Sequence, residues 1–300
     1  DRGVDLHALA ALGDQDPATA VSVNNLAALY KAQGKYAEAE PLYVEALRTR
    51  RAILGDKHPA VALSLNNLAA LYQAQARYAE AESLFNDVVK IRREVLGPNH
   101  PDTAVSLNNL ALLLESQAKY AEAEPLFREA LQGFRDAPKE YQPNLASTLN
   151  NLALLLYSQG KYSEAESLYT EALRIFKQTL GDNHPNTALS LSGLAVVYDS
   201  QGKRTEAEPL YREALRISRE TLGDNHPNTA TSLQNLAELY RAQAKYAQAE
   251  PLYREALRIR MQVLGEKHPS TADSLTGLAW VCMDQSKFAE AEPLLLQALR

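Results

Sequence analysis

Five histidines, His58, His100, His184, His226 and His268, each stand directly before a proline. Imidazole is a common metal ligand, so the first chemistry they suggest is a metal centre. Ligands of one ion must converge, whereas these residues recur one by one at long intervals, with Asp16 and Gln142 in the same place elsewhere. A polar group at a helix start accounts for them better, and no metal site is expected. Carboxylate pairs such as Glu122 and Glu124 in "EAE" could act as acid and base, but they also recur, at what reads as a solvated helix start. Cys282 is the single cysteine and takes a core position filled by Tyr240 and Leu114 elsewhere. Its thiol is expected to be buried and inert. No glycine-rich phosphate loop is present. Neither a catalytic set nor a cofactor is expected, so the chain does not read as an enzyme.

A second recurring group has a different chemistry. The pairs Asn24-Asn25, Asn66-Asn67, Asn108-Asn109 and Asn150-Asn151 interrupt apolar runs such as "SLNNLALLL". Asparagine is a mediocre helix former, because its side chain competes for backbone hydrogen bonds. An amide nevertheless offers both a donor and an acceptor, and so can hold a peptide unit whatever side chain that unit carries.

The elements that must position these residues repeat. Pro17, Pro59, Pro101, Pro143, Pro185, Pro227 and Pro269 lie 42 residues apart and mark seven units: 14–55, 56–97, 98–139, 140–181, 182–223, 224–265 and a truncated 266–300. Apolar positions such as Leu107, Leu110, Ala111 and Leu114 recur at helical spacing, and no strand alternation is visible. Each unit reads as two helices. Helix A opens at the proline, which suits a first helical turn. It ends at a "QGK" turn, where Gly34, Gly160 and Gly202 suit a left-handed residue and Ala76, Ala118, Ala244 and Ser286 replace them. Helix B opens with glutamates, favoured at a helix N-terminus, and closes at "LG". Residues 6–13, "LHALAALG", resemble the tail of a helix B from a preceding repeat.

The stretch "LNNLALLLESQAKYAEAEPLFREAL" resembles the tetratricopeptide pattern, with small residues at Ala111 and Ala123 and aromatics at Tyr120 and Phe127. The 42-residue period joined by "LG-D-x-H-P" resembles the kinesin-light-chain type of that repeat. The resemblance covers nearly everything after residue 13. It implies an all-α, right-handed superhelical solenoid of helix-turn-helix units, in which residues 14–300 form a single stack. Invariant alanines, Ala27 to Ala279 in helix A and Ala39 to Ala291 in helix B, would let the helices approach closely. One helix pair cannot bury its apolar face alone, so stacking supplies the stability.

At about 100° per residue, Leu107, Leu110, Ala111 and Leu114 define a packed side, Asn108 flanks it and Asn109 points away. The resemblance supplies the direction: that outward face of helix A would line a concave groove. It also implies a ladder of peptide-gripping amides at Asn25, Asn67, Asn109, Asn151 and Asn235, interrupted at Gly193 and Gly277, with Asn24, Asn66, Asn108 and Asn150 beside it. The alternative is an amide tolerated on a polar face and copied with the repeat. Leu112, Leu154 and Tyr157 are expected to form an apolar patch in that groove, with Arg241 among few cations. Trp280 would be a second anchor or would pack against an absent eighth repeat. Lys35, Arg77, Lys119, Lys161, Lys203, Lys245 and Lys287 form a basic row at the turns, expected to be solvated.

Two departures stand out. "GFRDAPK" replaces the usual end of helix B in the third unit, where Gly133 and Pro138 should stop the helix early. Arg204 replaces a turn aromatic, which predicts either a core gap or a stacked guanidinium. The net charge of −6, with no cluster of five basic residues, argues against nucleic acid, and no apolar stretch is long enough to span a membrane. The lone Cys282 fits a reducing compartment, so a cytoplasmic location is expected. The chain opens at Asp1 and stops inside what reads as a helix, so a longer parent is expected. End-to-end self-association would follow, through Leu294, Leu295 and Leu299 at one end and Leu9 and Leu12 at the other. The expected function is a scaffold that binds a protein or an extended peptide. The rival is a sensor or autoinhibitory module of a larger signalling ATPase or protease.

Overall fold

The computed structural model describes residues 17–299. The segment that reads as a residual helix, including Leu9 and Leu12, lies outside them. The described residues hold fourteen α-helices and no strand, alternating as A and B. They are α1 (Pro17–Ala32), α2 (Tyr36–Leu54), α3 (Pro59–Ala74), α4 (Tyr78–Leu96), α5 (Pro101–Ser116), α6 (Tyr120–Arg135) and α7 (Gln142–Ser158). Then follow α8 (Tyr162–Leu180), α9 (Pro185–Ser200), α10 (Arg204–Leu222), α11 (Pro227–Ala242), α12 (Tyr246–Val263), α13 (Pro269–Asp284) and α14 (Phe288–Ala298). Within α7 the chain divides into two compact units, Asp1–Asn144 and Leu145–Arg300.

The connectors between repeats explain the histidines. His58, His100, His184, His226 and His268 are extended N-caps whose side chains accept from the N–H two residues on, Ala60 in α3 and Asp102 in α5, for example, each at 3.1 Å. That satisfies an orphan donor of the first turn, and the proline after it supplies no N–H. The glycine ending helix B is left-handed, and the hydroxyl of Thr103, Thr187, Thr229 or Thr271 donates to its carbonyl at 2.8–2.9 Å. At the turns between A and B, Ala76, Ala118, Ala244 and Ser286 do adopt left-handed backbone, at φ 57–61°.

Packing follows the alanine positions. From Ala27 to Ala279 in A and Ala39 to Ala291 in B, every such alanine is buried. Tyr43, Phe85, Phe127, Tyr169, Tyr211 and Tyr253 fill one aromatic position of helix B in successive repeats, and all are buried. In the seventh repeat Leu294 and Leu295 pack, half-buried, against the core, so of the leucines expected at a terminal face only Leu299 stands well exposed, beside Leu296.

Polar contacts also cross the seams. Arg50 is buried near the end of α2 and donates to the Ala60 carbonyl at 3.1 Å and to Ser64 at 2.7 Å in the next helix A. Arg92 and Arg260 repeat that grip on Asp102 and Ser106, and on Ser270 and Ser274. Burial lowers the pKa of all three guanidinium groups. Five members of the basic row, still part-exposed to solvent, also form an ion-pair ladder. Arg77, Lys119, Lys203, Lys245 and Lys287 reach Glu40, Glu82, Glu166, Glu208 and Glu250 of the preceding repeat at 2.8–3.3 Å. Direct bonds from Lys119 and Lys287 hold the carboxyls of Glu82 and Glu250 below the usual range.

The two departures resolve differently. Helix α6 stops at Arg135 after 16 residues, against 19 in α2, as the sequence predicts. A 3-10 turn at Lys139–Tyr141 follows, and Tyr141 stacks on Phe134 and donates to Asp102 at 3.3 Å. Gly133 permits this packing, since a Cβ there would meet Ala104 Cβ at 2.9 Å. Among the described residues Arg204 stacks on no ring. It is exposed, pairs with Asp199 at 3.0 Å and donates to the Ala242 carbonyl at 3.1 Å, because its long side chain reaches polar partners outside the core.

These seams differ in weight. Arg50→Ala would leave the Ala60 carbonyl and the Ser64 hydroxyl short of a donor, at a cost of about 2–4 kcal/mol. Lys119→Ala, at the solvent edge, should leave unfolding nearly unchanged. Urea unfolding followed by circular dichroism checks both, and equal losses would contradict the ranking.

Candidate functional site

In the first compact unit the amides form rungs. Nδ2 of Asn67 donates to Oδ1 of Asn24 at 3.1 Å, and Nδ2 of Asn109 donates to Oδ1 of Asn66 at 3.0 Å. The doubling of the asparagines thus has a physical cause. One member sits on the seam, buried in Asn24, and receives the outward member of the next repeat. Oδ1 of Asn67 and of Asn109 keeps no partner among the described residues, and both side chains are half-buried on the A-helix face. Asn25 is exposed there, and Asn108 is half-buried. Aliphatic side chains flank the rungs: Val21 and Leu63 are exposed, and Val105 and Leu112 are half-buried. The charged groups on the same helices are Asp102 in the first turn of α5, Lys31, whose pKa burial lowers, and Glu115, whose pKa burial raises.

In the second unit the rungs change where glycine replaces asparagine. A Cβ on Gly193 would lie 2.3 Å from Tyr169 Cε1, and one on Gly277 would lie 2.4 Å from Tyr253 Cε1. A tyrosine ring from the preceding helix B therefore occupies the rung. The seam amides turn to serines instead. Asn150, itself buried, exchanges hydrogen bonds with Ser190 at 2.9 and 3.1 Å, and Gln234 accepts from Ser274 at 3.2 Å and from Arg260. Asn151 and Asn235 are half-buried on the outward stripe.

Of the other expected site residues, Leu154 is exposed. Tyr157 lies against Tyr162, with ring centroids 5.6 Å apart, and its hydroxyl meets Ser200 Oγ at 3.0 Å, so it is less apolar than expected. Trp280 is 48% exposed, with the Arg241 guanidinium 5.0 Å from its ring centre. Asp284 pairs with Arg241 at 2.7 Å, so that cation is already neutralised. Cys282 is buried, and burial raises its pKa, which disfavours a thiolate. Among the described residues no cluster of His, Cys, Asp or Glu could hold a metal ion, and no helix is long and apolar enough to cross a membrane. The rung bonds, the ion-pair ladder and the tyrosine-for-asparagine exchange escaped the sequence reading. The coincidence of Gly193 and Gly277 with a preceding tyrosine was the available signal.

Two helix layers with a tetratricopeptide pattern and a row of A-helix amides define the class, and comparison with known proteins agrees. A tetratricopeptide repeat model matches residues 16–94, 61–136, 144–220, 201–262 and 235–300, and a second one matches 108–178. The chain belongs to the tetratricopeptide repeat family. No curated protein sequence matches it. Among solved structures it is similar to a Podosopora anserina kinesin light chain candidate with nearly identical TPR-like repeats, at 27% identity over 69% of this chain and 98% of that one, TM-score 0.59. It also shares its fold with the Rap conjugation gene regulator of plasmid pLS20 in complex with the Phr* peptide, at 15% identity, over 91% and 70% of the chains, TM-score 0.64. A third is a signal transduction ATPase with numerous domains and a tetratricopeptide repeat sensor, from Pyrococcus horikoshii, at 17% identity, over 94% and 42%, TM-score 0.71.

The glycine gaps yield a test. Gly277→Asn restores the repeat pattern yet drives a Cβ into the Tyr253 ring, and such overpacking costs about 1–3 kcal/mol. Urea unfolding should show that loss, and a stabilised variant would contradict the ring's placement.

Proposed function

We propose that this chain is a non-enzymatic scaffold that binds an extended peptide, or an extended segment of a partner protein, along the concave groove lined by its A helices. The observation that carries this reading is the pair of amide oxygens at Asn67 and Asn109, polar atoms without a partner among the described residues and set between aliphatic flanks. Each can accept a backbone N–H of a bound chain while its Nδ2 stays committed to the seam. Asn25 in the first unit and Asn151 and Asn235 in the second are further A-helix amides, and Leu112, Leu154, Tyr157 and Trp280 offer area for side chains of the ligand. A backbone grip of this kind tolerates many sequences, and the flanking side chains then set preference.

A second reading has some support. The shared fold with the tetratricopeptide sensor of a signalling ATPase fits a sensor or autoinhibitory module whose groove takes a segment of its own longer chain. A full-length gene that encodes an ATPase or protease domain beside these repeats would favour it.

Binding of a positional-scanning library of acetylated, amidated dodecapeptides, read by fluorescence polarisation, tests the proposal. Asn25→Ala should weaken binding without changing stability, since Asn25 is exposed. Asn67→Ala and Asn109→Ala should each lose about 0.5–1.5 kcal/mol of binding, roughly a two- to twelvefold drop in affinity. Both should also lose stability, because each ends a seam bond. Unchanged affinity in all three variants would refute the ladder as the binding element.

A further inference from the structure

The A-helix face of repeats five to seven, within the second compact unit, differs in chemistry from that of the first three repeats. Its floor holds two buried phenols. Tyr211 is 4% exposed and Tyr253 1%, and neither hydroxyl has a hydrogen-bond partner among the described residues. Of the equivalent residues Tyr43 and Tyr169 are also tyrosine, whereas Phe85 and Phe127 carry no hydroxyl, so packing alone does not demand one and the carboxylates around it set this face apart. The Tyr253 ring emerges at the rung of helix α13, with Cε1 and Cζ 2.4 and 3.0 Å from where a Gly277 Cβ would stand. Its hydroxyl end is therefore aimed at the face where other repeats present an asparagine. Neither hydroxyl oxygen is sealed from solvent, so each is free to accept a hydrogen bond from a group laid on that face.

Above that floor the carboxylates are not balanced. Asp199 is paired with Arg204, and Asp284 with Arg241. Among the described residues Glu238 receives only the Gln234 amide at 3.0 Å, and neither it nor Asp273 is in an ion pair. The nearest cation, Arg260, is buried, and its N–H groups already serve Ser270, Ser274, Gln234 and Thr231. The fields of Glu238 and Asp199 act on Tyr211, and those of Glu238 and Asp284 on Tyr253, so phenols and carboxylates share one neighbourhood. Beside them Trp280 is half exposed, with Arg241 near its ring.

We propose that this face is a subsite for a basic side chain, lysine or arginine, of the bound peptide. The proposal rests on the groove-binding reading and adds the chemistry of one ligand position. The cation would answer Glu238 and Asp273, a phenolic oxygen would accept one of its N–H groups, and its methylene stem would lie along Trp280. An acidic side chain would meet like charge here that the single buried Arg260 offsets only in part. The first unit shows no such pair of free carboxylates on its face, so the selection belongs to repeats five to seven.

The same dodecapeptide library decides it. One peptide position should select Lys over norleucine, and Arg over citrulline, by about tenfold. In Glu238→Gln, checked for unchanged helical circular dichroism, that ratio should fall to about one, and Tyr253→Phe should lower it in part. Library binding with no basic preference, or a preference that survives both Glu238→Gln and Asp273→Asn, would overturn the subsite while leaving the groove-binding reading intact. Failure of every member to bind would overturn that reading, and the subsite with it.

Discussion

The close approach of neighbouring helices at the two alanine positions is the constraint on which the rest depends. Each helix pair has an apolar side that it cannot cover alone, and a one-dimensional stack gains its stability at the interfaces between units. With alanine at both positions fully buried, backbones come near enough for short side chains to bridge the seams. An asparagine reaches another asparagine one repeat away only because of that approach, as Asn67 and Asn24 do at 3.1 Å. The Arg50 grip on Ser64 and the Arg77 pairing with Glu40 depend on the same spacing.

Much of this was legible in the sequence because it depends on local chemistry. Proline and glycine at a fixed interval mark helix starts and stops, and the structure places α1 to α14 accordingly. The histidine before five of the seven repeat prolines reads as a helix-start residue, and it is one. The break at Gly133 and Pro138 also follows from rules that act on a few neighbouring residues. What escaped reading depends on residues one repeat away. Helical phase puts Asn109 on an outward stripe but does not show that Asn66 lies within reach of its Nδ2. It identifies a basic row but not the glutamate that each member meets. It shows that Gly193 and Gly277 break a pattern, yet not that tyrosine rings fill the space.

The amides therefore have a structural use that is visible without any ligand, and this sharpens the functional account. A rung needs only one side of each amide, and the side left over points its oxygen outward. One residue can then both lock two repeats together and offer a contact to a bound chain. At Gly277 the Tyr253 ring takes over the rung, with Glu238 and Asp284 in its neighbourhood. On the proposed reading, repetition would supply a uniform backbone grip and departures from repetition would supply selectivity.

The most direct measurement is a crystal structure of the chain with a dodecapeptide selected from the library. The account predicts an extended peptide on the A-helix face, with its backbone N–H groups about 3 Å from the outward amide oxygens of successive rungs. A peptide seated on the B helices, or one that touches the A helices through side chains alone while the rung oxygens stay bare, would contradict it.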